Sequence, residues 1–148
     1  MSVQQDKVVG IARRWIGTPY RHQASAEGAG CDCLGLLRGI WREIHGEEPA
    51  PVPPYTMYWG EVQRDERLWR AARRFLIEKP IEDEAAGDVL LFRMRKAAVA
   101  KHLGIQVEAG SAASFVHAYS GHNVTESPLS RPWRRKIVAR FAWPEESD

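Results

Sequence analysis

Cysteine is scarce in this sequence, and the two copies present exclude most of the roles that cysteines take in proteins. Cys31 and Cys33 are the only cysteines among 148 residues, and one residue separates them. A disulfide between positions i and i+2 would be strained. A structural zinc site usually takes four protein ligands, often from two cysteine pairs, and the chain has no second pair. The sequence therefore predicts two free thiols and no metal.

A long apolar run is also missing. The stretch MSVQQDKVVGIARRWIG at residues 1–17 is amphipathic and interrupted by charges, without the apolar core and cleavage site of a secretory signal. Hydrophobic residues make up 44% of the chain and charged residues 27%, which is typical of a globular domain. We therefore expect one domain, made in the cytoplasm without a signal peptide and not inserted in a membrane.

Charge of one sign is not in excess either. Lys and Arg total 21 and Asp and Glu total 19, which gives a net charge of +2. This balance argues against a nucleic-acid partner. One basic cluster, RPWRRK at residues 131–136, stands out. Such a cluster is usually a solvated edge, and its alternative role is attraction to an anionic polymer.

The hydrophobic pattern changes period along the chain. A period of 3.6 residues predicts three helices, at 4–16, 33–44 and 62–77. A proline-rich loop precedes the third helix, and three aromatic residues in or beside it are candidates to line a groove or dock a partner: Tyr55, Tyr58 and Trp59. Alternation with period two then predicts four strands, at 87–94, 102–108, 114–120 and 136–143. Helices followed by strands predict an α+β fold, with a helical layer on an antiparallel sheet.

Cys33 occupies the first position of the second predicted helix if Asp32 caps that helix. Unpaired backbone amides and the helix dipole favour a negative group there, which predicts a lowered pKa for the Cys33 thiol. Cys31 lies outside the helix and lacks this advantage. We therefore predict Cys33 as a nucleophile and Cys31 as a small packing thiol.

A thiol nucleophile needs a base, and two histidines on neighbouring predicted strands are candidates. A hairpin with a four-residue loop would pair Leu103 with Val116 and, in the same register, His102 with His117. Gly104 beside His102 would leave room for the helix end. A single strand histidine or buried cysteine is more often structural. The joint pattern of a capped cysteine and two opposed histidines favours a catalytic site.

Four segments together resemble the NlpC-type, papain-like cell-wall cysteine peptidases: WIGTPYRHQASAEGAGCDCLGLLRGIWREI, GDVLLF, HLGIQV and FVHA. They occur in the family's order and cover most of the chain. GTPYRHQAS and DCLGL are most similar to the versions encoded by tailed phages and gene transfer agents. The resemblance implies a single NlpC-type domain over residues 1–148, with the proline-rich loop and an extra helix at about 47–80 within it.

The resemblance also implies roles for individual residues. Cys33 is the implied nucleophile, His102 the general base and acid, and His117 the group that orients His102. Tyr20 is implied to lie near the thiol, and Tyr20 and Asp32 are candidates for substrate binding or oxyanion support. The implied reaction is hydrolysis of amide bonds in peptidoglycan stem peptides, commonly between D-γ-glutamate and a diamino acid, without a cofactor.

The residue after the nucleophile departs from the family pattern, and the absence of an export signal implies a route of delivery. Most secreted members have serine after the nucleophile, whereas this chain has Leu34, which argues against exopeptidase-like specificity. An enzyme for an extracytoplasmic polymer without an export signal needs another route. The resemblance therefore implies a phage or gene transfer agent tail, with tail-hub or baseplate proteins as partners and action in the periplasm or cell wall.

Two other functions stay open at this point. The first is a thiol acyltransferase or amidase of the same fold, which a deep apolar tunnel beside Cys33 would favour. The second is a structural tail-hub component without turnover.

Overall fold

A six-stranded antiparallel sheet forms the centre of the molecule, and its strands pair in the order Ile77–Lys79, Ile137–Ala142, Val89–Phe92, His102–Glu108, Ser114–His117 and Thr125–Pro128. The computed structural model describes residues 2–52 and 65–145. The helices are α1 (Val3–Arg14), α2 (Cys33–His45), α3 (Arg67–Phe75) and α4 (Arg131–Arg134). The strands are β1 (Ser25–Ala26), β2 (Gly30–Cys31), β3 (Ile77–Lys79), β4 (Val89–Phe92), β5 (His102–Glu108), β6 (Ser114–His117), β7 (Thr125–Pro128) and β8 (Ile137–Ala142). The α+β prediction is confirmed.

The two faces of the sheet bury different groups of side chains. On one face, the odd-numbered residues of β5 join the core under α1 and α2, which contains Val8, Ile11, Leu36, Ile40, Leu103, Ile105 and Val107. On the other face lies a smaller cluster that Trp133 of α4 covers, and it contains Leu90, Phe92, Phe115, Leu129 and Ile137. Because successive side chains of a strand alternate between faces, the even-numbered residues of β5 point to this second face.

A buried polar network lies on the second face of the sheet, beside the smaller cluster. Arg140 on β8 is 1% exposed. Its guanidinium donates to Asp88 at 2.7 Å, to the side-chain oxygen of Gln106 at 2.6 Å and to the carbonyl oxygen of Ile81 at 2.7 Å. Lys79 pairs with the second carboxylate oxygen of Asp88 at 2.9 Å. The charge of Arg140 is therefore paired with a buried carboxylate, and two of its nitrogens donate inside the protein, which offsets the cost of burial.

The structure adds elements that the hydrophobic pattern did not predict. The strand β7 has the sequence TESP, which is polar and lacks alternation, and the strands of the β1–β2 hairpin have two residues each. Ile77, predicted to be helical, lies in β3, because α3 ends at Phe75. The aromatic residues at 55, 58 and 59 lie outside the described residues. The single-domain span with its insertion at about 47–80 stays a prediction.

The predicted register of the β5–β6 hairpin is wrong by two residues. Val116 pairs with Ile105, whereas the prediction paired it with Leu103. A longer connection causes the difference: residues 109–113 separate the strands, Gly110 adopts a φ of 90°, and a bulge precedes Glu108. An even offset keeps every side chain on its predicted face. His102 and His117 therefore share a face as diagonal rather than direct neighbours.

Candidate active site

Asp32 caps helix α2 and ties its start to the preceding loop. One carboxylate oxygen accepts from the backbone amide of Gly35 at 2.7 Å, and the other accepts from the amide of Gln23 at 2.7 Å. Asp32 is 3% exposed. The predicted cap is confirmed, and it places Cys33 at the first position of the helix. The predicted part of Asp32 in substrate binding or oxyanion support stays a prediction.

The Cys33 thiol lies against the beginning of strand β5. Its sulfur donates to the carbonyl oxygen of Lys101 at 3.6 Å. The backbone amide of Gln106 donates to the carbonyl of Asp88, and its backbone carbonyl accepts from the amide of Gly87, so both backbone groups point toward the β4 side. By alternation, Lys101 therefore directs its carbonyl toward the β6 side.

That side of β5 is open at its beginning. The pairing between β5 and β6 starts only at Ile105 and Val116. The backbone around His102 therefore has no strand partner toward β6, and the Cys33 thiol at the start of α2 contacts the carbonyl of Lys101 just before it.

The prediction of a lowered thiol pKa is wrong. Burial raises the pKa of Cys33 to about 12, and the negative charge of Asp32 acts in the same direction. The backbone amides of Leu103, Leu34 and Cys33 oppose the rise, but burial outweighs them. The helix start favours a thiolate, but desolvation disfavours the charged form of a group removed from water, and desolvation is the larger effect at Cys33. The free protein therefore holds a neutral thiol at neutral pH.

The two histidines form a hydrogen-bonded chain with a serine. Nε2 of His102 is 2.9 Å from Nδ1 of His117, and Nε2 of His117 is 2.9 Å from Oγ of Ser127. Nδ1 of His102 makes no hydrogen bond to any residue in the described ranges 2–52 and 65–145. The chain therefore ends on a ring nitrogen that is available for another partner.

Aromatic rings bury both imidazoles. The rings of Phe92, Tyr119 and Trp133 have centroids 5.5, 5.7 and 5.9 Å from that of His102. Burial lowers the pKa of His102 to about 3, with a smaller contribution from His117. Burial lowers the pKa of His117 to about 4. Both imidazoles are therefore neutral at pH 7.

The space beside His102 is also filled by aromatic rings rather than by a helix. A Cβ atom added at Gly104 would lie 2.8 Å from the ring of Phe115 and 3.4 Å from the ring of Phe92. The prediction that Gly104 makes room for the helix end is therefore wrong. The glycine admits the rings that bury the histidines.

Tyr20 and Cys31 precede helix α2 in the chain, and both interact electrostatically with Cys33. They form an isolated parallel bridge with each other. Burial raises the pKa of Tyr20 to about 12, with the charge of Cys33 as the next cause. Cys31 is fully buried, and burial raises its pKa to about 12. Both cysteines are free thiols. The phenol of Tyr20 is therefore a neutral neighbour of the thiol, and its part in catalysis stays a prediction.

No protein-family model and no curated protein matches this chain. Several solved structures do. The NlpC/p60 domain of the peptidoglycan hydrolase SagA matches with a TM-score of 0.65 and 17% identity, over 93% of this chain and 97% of that one. The protein has the NlpC/p60 fold.

Two longer proteins share this fold. An NLP/P60-family protein from Staphylococcus aureus, similar to a lipoprotein, matches with a TM-score of 0.62 and 18% identity, over 95% of this chain and 41% of that one. An NlpC/P60-family protein from Bacillus cereus matches with a TM-score of 0.62 and 17% identity, over 94% of this chain and 40% of that one. The chain thus spans about two fifths of these two proteins and nearly all of the SagA domain.

Within the NlpC/p60 fold, Asp32 and Cys33 lie at the start of α2, His102 at the start of β5 and His117 at the end of β6. The thiol contacts backbone beside His102 rather than the His102 ring. Proton transfer to that ring therefore requires the Cys33 side chain to leave the carbonyl of Lys101.

Sequence reasoning missed Ser127 and Trp133. Ser127 lies in a polar strand that carries no signal. Trp133 lies in the basic cluster that was interpreted as a solvated edge. The signal was the tryptophan itself, because an aromatic residue among basic ones indicates that one side of the segment faces the protein interior.

No group of three or more His, Cys, Asp or Glu side chains among the described residues has an arrangement that would hold a metal ion. None of the helices in the described part of the chain has the length and apolarity of a membrane span.

Proposed function

We propose that this chain is a cysteine peptidase that hydrolyses amide bonds in peptidoglycan stem peptides. The observation that carries the proposal is the chain from Ser127 through His117 to His102, which ends on an available Nδ1, together with the thiol of Cys33 on the carbonyl of the residue before His102. A thiol, a base and a group that orients the base are the parts that nucleophilic acyl transfer requires. The fold of the SagA domain, a peptidoglycan hydrolase, supports the choice of substrate.

The reaction begins from neutral partners. The Cys33 thiol transfers its proton to Nδ1 of His102, and the sulfur attacks the amide carbonyl carbon. The backbone amide of Cys33, at the start of α2, donates to the oxygen that becomes negative. His102 returns the proton to the departing amine as the C–N bond breaks and a thioester forms. Water, deprotonated by His102, then hydrolyses the thioester to a carboxylic acid and restores the thiol.

Burial controls when the charges form. The high pKa of Cys33 and the low pKa of His102 both disfavour a thiolate–imidazolium pair in the free protein. In a site that excludes water, the amide of Cys33 acts strongly on the oxyanion of a bound substrate. The charges therefore form together with the bond to the substrate. His117 stabilises the imidazolium, because its Nδ1 accepts from Nε2 of His102.

The bond and the route of delivery are the finer part of the proposal. The resemblance of GTPYRHQAS and DCLGL supports cleavage between D-γ-glutamate and a diamino acid, by a domain mounted on a phage-like or gene transfer agent tail. Exposed arginines of the basic cluster, Arg131 and Arg135, support contact with a carboxylate-rich wall.

Digestion of purified peptidoglycan, with mass spectrometry of the fragments, tests the proposal. The wild type should release fragments cut within the stem peptide. Cys33→Ala should release none above background. Cys31→Ala is the matched control, because it removes the other thiol and should retain cleavage. Absence of fragments from the folded wild type, or their release by Cys33→Ala, would refute the peptidase function and favour a structural tail component.

An apolar cavity makes acyl transfer the second candidate. The cavity has a volume of about 200 Å³ and begins at the residues that follow Cys33 and His102. Its apolar walls include Leu34, Leu37, Trp41, Leu68, Phe75 and Leu103. Such walls suit a hydrocarbon chain better than a charged stem peptide. Incubation with a long-chain acyl thioester and intact-mass measurement decides between the two, since an acyltransferase should accumulate acyl-Cys33 and pass the acyl group to an added amine.

A further inference from the structure

We propose that Ser127 is a positioning residue that holds His117 in the tautomer and orientation with which it supports His102 as the base. The inference rests on the proposed function, which assigns the base to His102. Ser127 touches neither the thiol nor His102, and it acts through His117.

The sheet brings Ser127 to its place. In the β6–β7 ladder, Ser127 pairs with Phe115 and Thr125 pairs with His117, so Ser127 lies diagonal to His117 on the same face. From there its hydroxyl reaches Nε2 of His117 at 2.9 Å. Because the backbone register fixes the relative positions of the two residues, only the rotamers of Ser127 and His117 can change this distance.

The residue before Ser127 is also anchored. Glu126 accepts from Arg13 of α1 at 3.1 Å and from the hydroxyl of Ser114 on β6 at 2.7 Å. Strand β7 is therefore held to α1 and to β6 at the point where it presents Ser127.

The positions of the protons show what the hydroxyl contributes. A neutral imidazole carries one N–H. For Nδ1 of His102 to take the thiol proton, the hydrogen of His102 must be on Nε2, from which it is donated to Nδ1 of His117. His117 then carries its own hydrogen on Nε2, and that hydrogen needs an acceptor. The oxygen of Ser127 is the acceptor at hydrogen-bond distance.

The charged state needs the same acceptor. When His102 becomes an imidazolium, its donation to His117 strengthens, and His117 in turn donates more strongly to Ser127. The hydroxyl of Ser127 thus supports both the resting tautomer and the reaction step.

Three variants separate positioning from a structural role. Ser127→Ala removes the acceptor, and Ser127→Thr keeps a hydroxyl at the same place. Ser114→Ala is the matched control, because it deletes a hydroxyl hydrogen bond of the same strand pair that does not involve an imidazole, while Arg13 and the backbone pairing with β6 still hold β7 in place.

The first measurement is the ¹⁵N chemical shifts of the imidazole nitrogens, which requires no substrate. In the wild type, His117 should show a protonated Nε2 and an unprotonated Nδ1. Ser127→Ala should shift both nitrogens toward a mixture of tautomers, Ser127→Thr should restore the wild-type shifts, and Ser114→Ala should leave them unchanged.

The second measurement is the kinetics of stem-peptide hydrolysis. Loss of one neutral hydrogen bond corresponds to roughly a two- to tenfold change. Ser127→Ala should lower kcat by this factor with KM unchanged, since no contact to substrate is lost.

The two measurements keep failure of this inference apart from failure of the proposed function. Unchanged ¹⁵N shifts in Ser127→Ala, or equal shifts in Ser114→Ala, would overturn the role of Ser127 whatever the enzyme does to peptidoglycan. An inactive wild type whose His117 shifts respond to Ser127→Ala and recover in Ser127→Thr would refute the function and retain the positioning contact.

Discussion

The same substitution, glycine to alanine, should have opposite effects at two helical positions of this protein. Gly10 lies in α1, and a Cβ atom there would meet nothing within 4 Å. Gly35 lies in the first turn of α2, and a Cβ atom there would fall well inside 3.0 Å of the carbonyl oxygen of Ala24 and 3.1 Å from a carboxylate oxygen of Asp32. Packing therefore decides the sign.

The magnitudes follow from the contacts. Alanine is better than glycine inside a helix by about 1 kcal/mol, so Gly10→Ala should raise the free energy of unfolding by that amount. In Gly35→Ala the same gain is opposed by overpacking of about 1–3 kcal/mol and by a disturbed Asp32 cap, typically about 1 kcal/mol. The net effect should be a destabilisation of about 1–3 kcal/mol.

The effect at Gly35 should also reach the thiol. Ala24 cannot move without pulling on Asp32, whose backbone amide donates to the Ala24 carbonyl at 3.3 Å. The start of α2 should therefore shift, and with it Cys33. Gly39→Ala is a second comparison, because its Cβ atom would clash with the ring of Trp15 in the core, away from the thiol.

Urea unfolding and the alkylation rate of Cys33 measure the two consequences. Gly35→Ala should lose stability and change the alkylation rate, whereas Gly39→Ala should lose stability only. A Gly35→Ala protein as stable as Gly10→Ala would refute the reasoning, because it would mean that the loop before Asp32 does not contact the helix as described.

Three further predictions concern the buried charges. Because burial raises the pKa of Cys33 to about 12, iodoacetamide should label this half-buried residue more slowly at pH 7 than a free cysteine thiol, with a rate that climbs as the pH is raised; rapid labelling at pH 7 would contradict the raised pKa. The pKa values of His102 and His117 lie below the value of about 6.5 in an unfolded chain, so their contribution to stability is complete above pH 6.5 and is lost as the pH falls toward 4 and 3, by up to about 1.4 kcal/mol per pH unit for each histidine. Urea unfolding at several pH values measures this loss, and His117→Gln should reduce it; an equal loss in that variant would argue against the assignment. Arg140→Met should cost about 1–3 kcal/mol in the same assay, because it leaves the side-chain oxygen of Gln106 buried without its donor while Asp88 keeps its pair with Lys79, and a cost below 1 kcal/mol would show that water reaches Gln106.

Local patterns in the sequence determined the kinds of elements and the faces of the strands. The 3.6-residue and two-residue periods reflect which side chains one helix or one strand turns to the same side, so they can be read without knowing what packs there. The cap by Asp32 is equally local, since the carboxylate bonds an amide three residues along the chain. These patterns were enough to place Cys33 at a helix start and His102 and His117 on one face.

Tertiary structure decided the register, the protonation states and the third member of the histidine chain. The register follows from the bulge before Glu108 and the turn at Gly110, which set how far the strands slide without changing their faces. The pKa of Cys33 depends on burial against the backbone at Lys101, 68 residues away in the chain. Ser127 lies in a polar strand with no periodic signal, and it meets His117 because β7 pairs with β6. Desolvation and strand pairing arise between segments distant in sequence, which is why a pattern confined to one segment does not contain them.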